Sequence, residues 1–250
     1  MGITNTRLSA TKRGIAAELA SQVATRLERP VCLVGADPTD RDVERRMPRL
    51  AAAAGGYERM VLDRGPHRLE AMLLARQHLA IVTLSDRVVV DAVLPRLREI
   101  FEIVIIDAPS RVGSGVGIAR VLLPHLDALV VASGLQPGDL ALTRIYVDAL
   151  TRMPAAKHVD VRVVANGRPE DSGLASEQLE RRLAGLPMAG RIPRLWADPP
   201  KEQPAASEEL ERAFHMLVEI VLEHLRVRQP EGTNADVQRI QLQRVARKYQ

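Results

Sequence analysis

Apolar runs of strand length alternate along the chain with segments of helical period, the pattern of a parallel sheet covered by helices. Residues 30–35, 79–84, 103–107, 128–132 and 159–165 are nearly continuous in Val, Ile and Leu, as strands buried on both faces are. Residues 2–5 supply a short opening strand. Between the runs, residues 14–28, 86–100, 115–124, 139–151 and 172–184 predict helices, with Asp139 as the N-cap after a Gln-Pro-Gly turn. Residues 205–227 predict a last helix, because Leu210, Phe214, Leu217, Val218, Val221, Leu222 and Leu225 recur at steps of three and four. Residues 41–68, with their Ala-Gly run at 51–56, predict no strand and are expected to form a mobile surface excursion. The fold class expected is α/β: a doubly wound, mainly parallel sheet with helices on both faces. Residues 1–228 form its domain, and residues 229–250 a linker and basic tail.

Composition narrows the function classes. With 46% hydrophobic and 26% charged residues in 250, the chain is an ordinary globular one rather than a disordered one. Its longest apolar runs fall well short of the ~20 residues that cross a bilayer, and no long apolar core follows the basic residues near the start. A secretory signal is therefore not expected, and the cytoplasm is the expected location. The single cysteine, Cys32, lies inside an apolar run and reads as a small core residue. The formal charge of +4 belongs to the tail: residues 226–250 hold six basic groups against two acidic ones, and the remainder balances. Attraction to polyanions is thus expected from the tail. Six aromatic residues in the whole chain argue against a base-stacking platform.

In an open parallel sheet, ligands bind at the carboxyl ends of the strands. The segments that follow the predicted strands are TRLSATKRG after residue 5, ADPTD after residue 35, the loop DAPSRVGSG that opens at Asp107, and NGRPE after residue 165. Three polar loops and one basic loop are expected to converge on a single rim.

In order and spacing these loops resemble the ParA/MinD superfamily of deviant Walker A P-loop ATPases, over roughly residues 1–225. The family's K-G-G-x-G-K-T-T motif corresponds to Arg7, Leu8, Ser9, Ala10, Thr11, Lys12, Arg13 and Gly14. ADP at 36–38 matches the second Asp of its D-x-D-P segment, IIDAPS at 105–110 resembles its Walker B strand and switch, and VVANGRP at 163–169 resembles the strand whose Asn reads adenine. GRIPR at 190–194 resembles its I-P turn beside the base. In an active member, the resemblance implies phosphate contact by Lys12, action across a dimer by Arg7, alignment of water by Asp37, organisation of magnesium by Asp107 and base recognition by Asn166.

The departures alter that implication. A phosphate loop needs glycines so that its backbone N–H groups can turn toward the anion, and Leu8, Ser9 and Thr11 replace all three. Arg13 stands where the family has a magnesium-binding hydroxyl, and Arg7 replaces the signature lysine with a different donor geometry. Each residue also has a plainer role: Lys12 as a solvated lysine, Asp37 and Asn166 as turn residues, Asp107 as a turn cap or as the partner of Arg7, Lys12 or Arg13 in an internal ion pair. The histidines His67, His78, His125, His158, His215 and His224 and the lone Trp196 show no spacing of a metal site, so no metal ligand is expected.

A noncatalytic positioning or regulatory partner is the function this combination implies, in partitioning, division-site, pilus or secretion-machinery placement. Nucleotide (ATP or ADP) is expected to bind weakly or not at all, with magnesium only where nucleotide is bound. A protein partner is expected, in a homodimer or in a heterodimer with a related ATPase. The alternatives are an active Mg-ATP-dependent dimerising ATPase of the same family and a nucleic-acid-binding protein that uses the tail. Residues 237–250 set Val237, Ile240, Leu242, Val245 and Tyr249 among Arg239, Arg244, Arg247 and Lys248, but Gln238, Gln241 and Gln243 interrupt the apolar side. They form either a flexible basic extension or a contact to DNA or acidic membrane, which would make the protein peripheral at membrane or nucleoid. If the tail contacts DNA, duplex binding measured by fluorescence anisotropy falls steeply with salt and vanishes on deletion of residues 229–250; binding unchanged by that deletion contradicts the tail's role.

Overall fold

The computed structural model describes residues 1–5, 14–36, 43, 48, 52, 55–63, 68–74, 79–83, 87–108, 122–192 and 204–228. Its strands are β1 (Gly2–Asn5), β2 (Val31–Gly35), β3 (Tyr57–Asp63), β4 (Arg68–Leu74), β5 (Leu79–Thr83), β6 (Ile103–Asp107), β7 (Ala128–Gly134), β8 (Asp160–Asn166) and β9 (Met188–Ile192). Its helices of eight residues or more are α1 (Ile15–Leu27), α2 (Arg87–Ile100), α3 (Pro137–Thr151), α4 (Ser176–Leu183) and α5 (Pro204–Arg228). The nine strands form one sheet in the order β3-β4-β5-β2-β6-β1-β7-β8-β9. Pairing is parallel from β5 through to β9 and antiparallel between β4 and β5 and between β3 and β4. The expected doubly wound, mainly parallel α/β class is the class observed.

Two apolar layers explain the continuous runs. On one face, Cys32 and Val34 of β2, Val104 and Ile106 of β6 and Leu129 and Val131 of β7 pack with α2, α3 and α4. On the other, Val31 and Leu33, Ile103 and Ile105, and Ala128 and Val130 pack with α1 and α5. Alternate residues of a strand point to opposite faces, so a strand covered on both sides favours apolar residues at every position. Burial pushes the Cys32 thiol well above its ordinary pKa, consistent with a core role. The polar pair inside the core satisfies itself: Thr143 Oγ1 donates to Ser133 Oγ at 2.8 Å, and Ser133 Oγ to the Gly134 carbonyl at 2.9 Å.

Four expectations need correction. Part of the 41–68 stretch expected to be a surface excursion is strand: Tyr57–Asp63 pairs with Arg68–Leu74 in seven-residue register and extends the sheet at its edge. An antiparallel edge ribbon has no need of a continuous apolar run, which is why YERMVLD does not read as a core strand. Helix α3 is capped by Gln136, with Pro137 and Asp139 both in its first turn; proline's fixed φ suits that entry better than the later aspartate does. The 172–184 helix divides into a 3₁₀ turn, Pro169–Ser172, and α4, separated by Gly173 in a left-handed conformation. Of the 115–124 helix, residues 115–121 lie outside the described residues, and Leu123–His125 is a 3₁₀ turn.

Helix α5 closes the second layer by laying Ala213, Phe214, Leu217, Val218 and Val221 against α1 and β9. Phe214 is fully buried at its centre. Phe214→Ala is expected to lower unfolding stability by about 3–5 kcal/mol in a urea titration; a loss below about 1 kcal/mol would show that α5 does not close this layer.

Candidate functional site

Parallel pairing aligns the carboxyl ends of the central strands. Gly35 and Ile3 both stand opposite Asp107, Asn5 stands opposite Ala132, and Asn166 lies level with Gly134 on one side and Ile192 on the other. The carboxyl ends of β1, β2, β6 and β8 therefore line one edge of the sheet.

Asp107 is the last residue of β6 and is 3% exposed. Its carbonyl accepts from Ala36 N at 3.0 Å, and Ala108 N donates to the Ile3 carbonyl at 2.8 Å. Backbone ladders on both sides thus hold this carboxylate in the middle of the sheet. Beside it, α1 begins directly at Ile15, with Gly14 as its N-cap at φ 80° and no side-chain cap. Only glycine adopts that left-handed turn without strain.

Asn166 closes β8 and is 7% exposed. Gly167 follows at φ 140° and donates to the Ile192 carbonyl at 3.0 Å. The next turn is fastened twice: Asp171 Oδ2 accepts from Arg168 N at 2.9 Å, and Gln136 Nε2 donates to the Asp171 carbonyl at 2.6 Å. Gln136 and Asp171 thereby tie the loop after β7 to the loop after β8. The sequence reading missed this clamp; its local signal is the Arg-Pro-Glu-Asp run, in which Asp171 sits three residues after the cap position.

Among the sequence-predicted site residues, the structure places Asp107 and Asn166 on the same rim but brings them into no contact. They end strands three places apart in the sheet, roughly 14 Å at the usual strand spacing. Arg7, Lys12, Arg13 and Asp37 lie outside the described residues, as do Trp196, His67, His78 and the 229–250 tail. His224 Nε2 stands 3.3 Å from Asp160 Oδ2 and His215 Nδ1 3.6 Å from Glu219 Oε1, which gives both rings structural partners. Among the described residues, no group of three or more His, Cys, Asp or Glu side chains is placed to hold a metal ion.

A cleft of about 60 Å³ lies at the opposite, amino end of the sheet, between α2 and α5. Arg98 Nη1 donates there to the His125 carbonyl at 3.0 Å, Arg98 Nη2 stands 3.6 Å from Asp127, and Glu102 is paired with Arg29. The Met1 amino group donates to the Val104 carbonyl at 2.8 Å, and burial lowers its pKa to about 6. The charges of this cleft are directed at one another, so it forms a seam between helices. No helix among the described residues is long and apolar enough to cross a membrane.

No protein-family model matches the chain, and no curated protein sequence matches it. Solved structures do. The MinC:MinD cell division complex of Aquifex aeolicus superposes with a TM-score of 0.61 at 14% identity, over 93% of this chain and 97% of that one. MinD with Mg-ADP from Pyrococcus horikoshii gives 0.57 at 15% identity, over 88% and 94%. A plasmid partition protein of Borrelia burgdorferi gives 0.59 at 10% identity, over 89% and 98%. Together with the sheet order and the helix layers, these likenesses show that the chain has the ParA/MinD-type P-loop NTPase fold.

Proposed function

We propose that this chain is a ParA/MinD-like protein whose nucleotide site no longer supports catalysis, and that it works by recognising a protein partner in the placement of plasmids, division sites, pili or secretion machinery. The observation that carries the reading is the loop that enters α1. On a fold whose solved relatives include a MinD bound to Mg-ADP, the segment before Ile15 reads RLSATKRG. Gly14, at the entry to α1, is the only glycine in that segment. Side chains at positions 8, 9 and 11 obstruct the backbone curl that would present N–H groups to a β-phosphate.

The donor set fits magnesium no better. Asp107 is a carboxylate at the end of β6, but the residue before Gly14 is an arginine, which offers five donors and no lone pair to a divalent ion. Recognition is what remains for such a rim, and the MinC:MinD complex among the structural likenesses supports a protein as the partner. Dimerisation, with itself or with a related ATPase, belongs to the same reading.

The second reading, an active Mg-ATP-dependent ATPase, rests on Asp107 and Asn166, which stand buried at the ends of β6 and β8 where an active member would use them. Isothermal titration separates the two. Mg-ATP and Mg-ADP are expected to bind more weakly than about 1 mM, and Lys12→Ala is expected to change neither titration. Micromolar binding accompanied by phosphate release that Lys12→Ala abolishes contradicts the noncatalytic reading.

A further inference from the structure

We infer that the outer face of α3, centred on Ile145, is the surface through which two copies of this chain pair, back to back and with their rims pointing away from each other. The inference rests on the dimerisation proposed above and deepens it by naming the face; nucleotide plays no part in it.

Two large apolar side chains are exposed among the described residues, Ile145 at 65% and Met216 at 40%. Met216 serves the fold, because its side chain lies directly on Gly190 of β9. Ile145 has no such role: α3 packs on the sheet through Leu140, Thr143, Tyr146, Val147 and Leu150, and Ile145 stands on the opposite side of the helix. Ala141 and Ala149, four residues before and after it, are exposed as well. The three form one ridge of i±4 spacing, the kind that interdigitates with an equal ridge in the commonest class of helix packing. A small residue at either end of the ridge lets a second helix approach the central isoleucine closely.

Charge selects the occupant. Arg144 and Asp148 are exposed one turn apart beside the ridge. Arg144 is set in place from behind: its guanidinium lies over Gly185, where a Cβ would collide with it, and its Nη2 donates to the Arg182 carbonyl at the end of α4 at 3.2 Å. A side chain already held loses little freedom on binding, and arginine has further N–H donors to offer. Asp148 makes no ion pair among the described residues. A row that carries both signs is matched by its own copy reversed. When α3 meets α3 of a second copy antiparallel, across a two-fold axis close to Ile145, Arg144 of each copy comes level with Asp148 of the other and the two isoleucines pack across the axis. Such a contact is isologous and closes at two copies.

The N-cap of α3 is Gln136, which is tied to Asp171 at the rim. Antiparallel α3 helices therefore carry the two rims to opposite ends of the pair, each open to a protein partner. One helix pair buries less than the ~1,200 Å² of a standard interface, so the association is weak, with a Kd on the order of 100 µM.

Sedimentation equilibrium of the full chain without nucleotide, at concentrations on either side of that Kd, tests the face. A monomer–dimer equilibrium is expected. Ile145→Asp, Arg144→Asp and Asp148→Arg, each with an unchanged circular dichroism spectrum, are expected to weaken it by about tenfold or more. Mixing the Arg144→Asp and Asp148→Arg proteins is expected to restore association, because both cross-axis pairs then join opposite charges. Should Arg144→Asp fail to fold, since Arg144 also holds the end of α4, Ile145→Asp and Asp148→Arg decide the matter. A chain that stays monomeric, a dimer indifferent to Ile145→Asp, or a mixture that associates no better than its components overturns the assignment. Repeating the runs with Mg-ATP separates this inference from the function it rests on. A dimer that Mg-ATP strengthens and Ile145→Asp still dissolves contradicts only the noncatalytic reading, whereas a dimer that ignores Ile145→Asp overturns the face whatever the nucleotide does.

Discussion

A carboxylate at the end of a strand buried on both faces is the constraint on which the rim depends. The sheet leaves Asp107 no route to water: β1 and β2 pair with its strand on either side, and the apolar layers close above and below. A carboxylate so buried keeps its charge only where cations or hydrogen-bond donors face it. In a site built for nucleotide, a metal held by neighbouring hydroxyls and phosphates does this. In this chain the segment between β1 and Gly14 carries Arg7, Lys12 and Arg13 and, before Gly14, no glycine, the composition on which the proposed noncatalytic reading rests.

The two halves of the rim differ in how they are built. Around Asn166 the turn is fastened by Asp171 and Gln136, and Gly167 takes a conformation that a side chain would strain. Around Asp107 the order comes from strand pairing and from the entry of α1. These supports fix the shape of the rim that the proposed protein partner would meet.

Much of this was legible in the amino-acid order for a simple reason. Strands buried on both faces must be continuously apolar, so β2, β5, β6, β7 and β8 stand out as Val, Ile and Leu runs, and Asp107 and Asn166 stand out as the polar residues that end two of them. The ribbon of β3 and β4 was hidden because each strand mixes charged and apolar residues at an edge where alternation is loose. Strand β9 was hidden too: Met-Ala-Gly-Arg-Ile is short and half-buried, and only its pairing with β8 makes it a strand. At the rim, the positions of Asp107 and Asn166 followed from strand ends, and the Arg168–Asp171 half of the clamp has a local cap pattern, whereas its Gln136 half joins residues 35 apart in the chain.

The most direct measurement is a crystal structure of the full chain grown with a non-hydrolysable ATP analogue and magnesium. No triphosphate should lie beside the start of α1. A β-phosphate cradled by the backbone of residues 7–14, with a metal ion between it and Asp107, would contradict the view that this rim has ceased to be a nucleotide site.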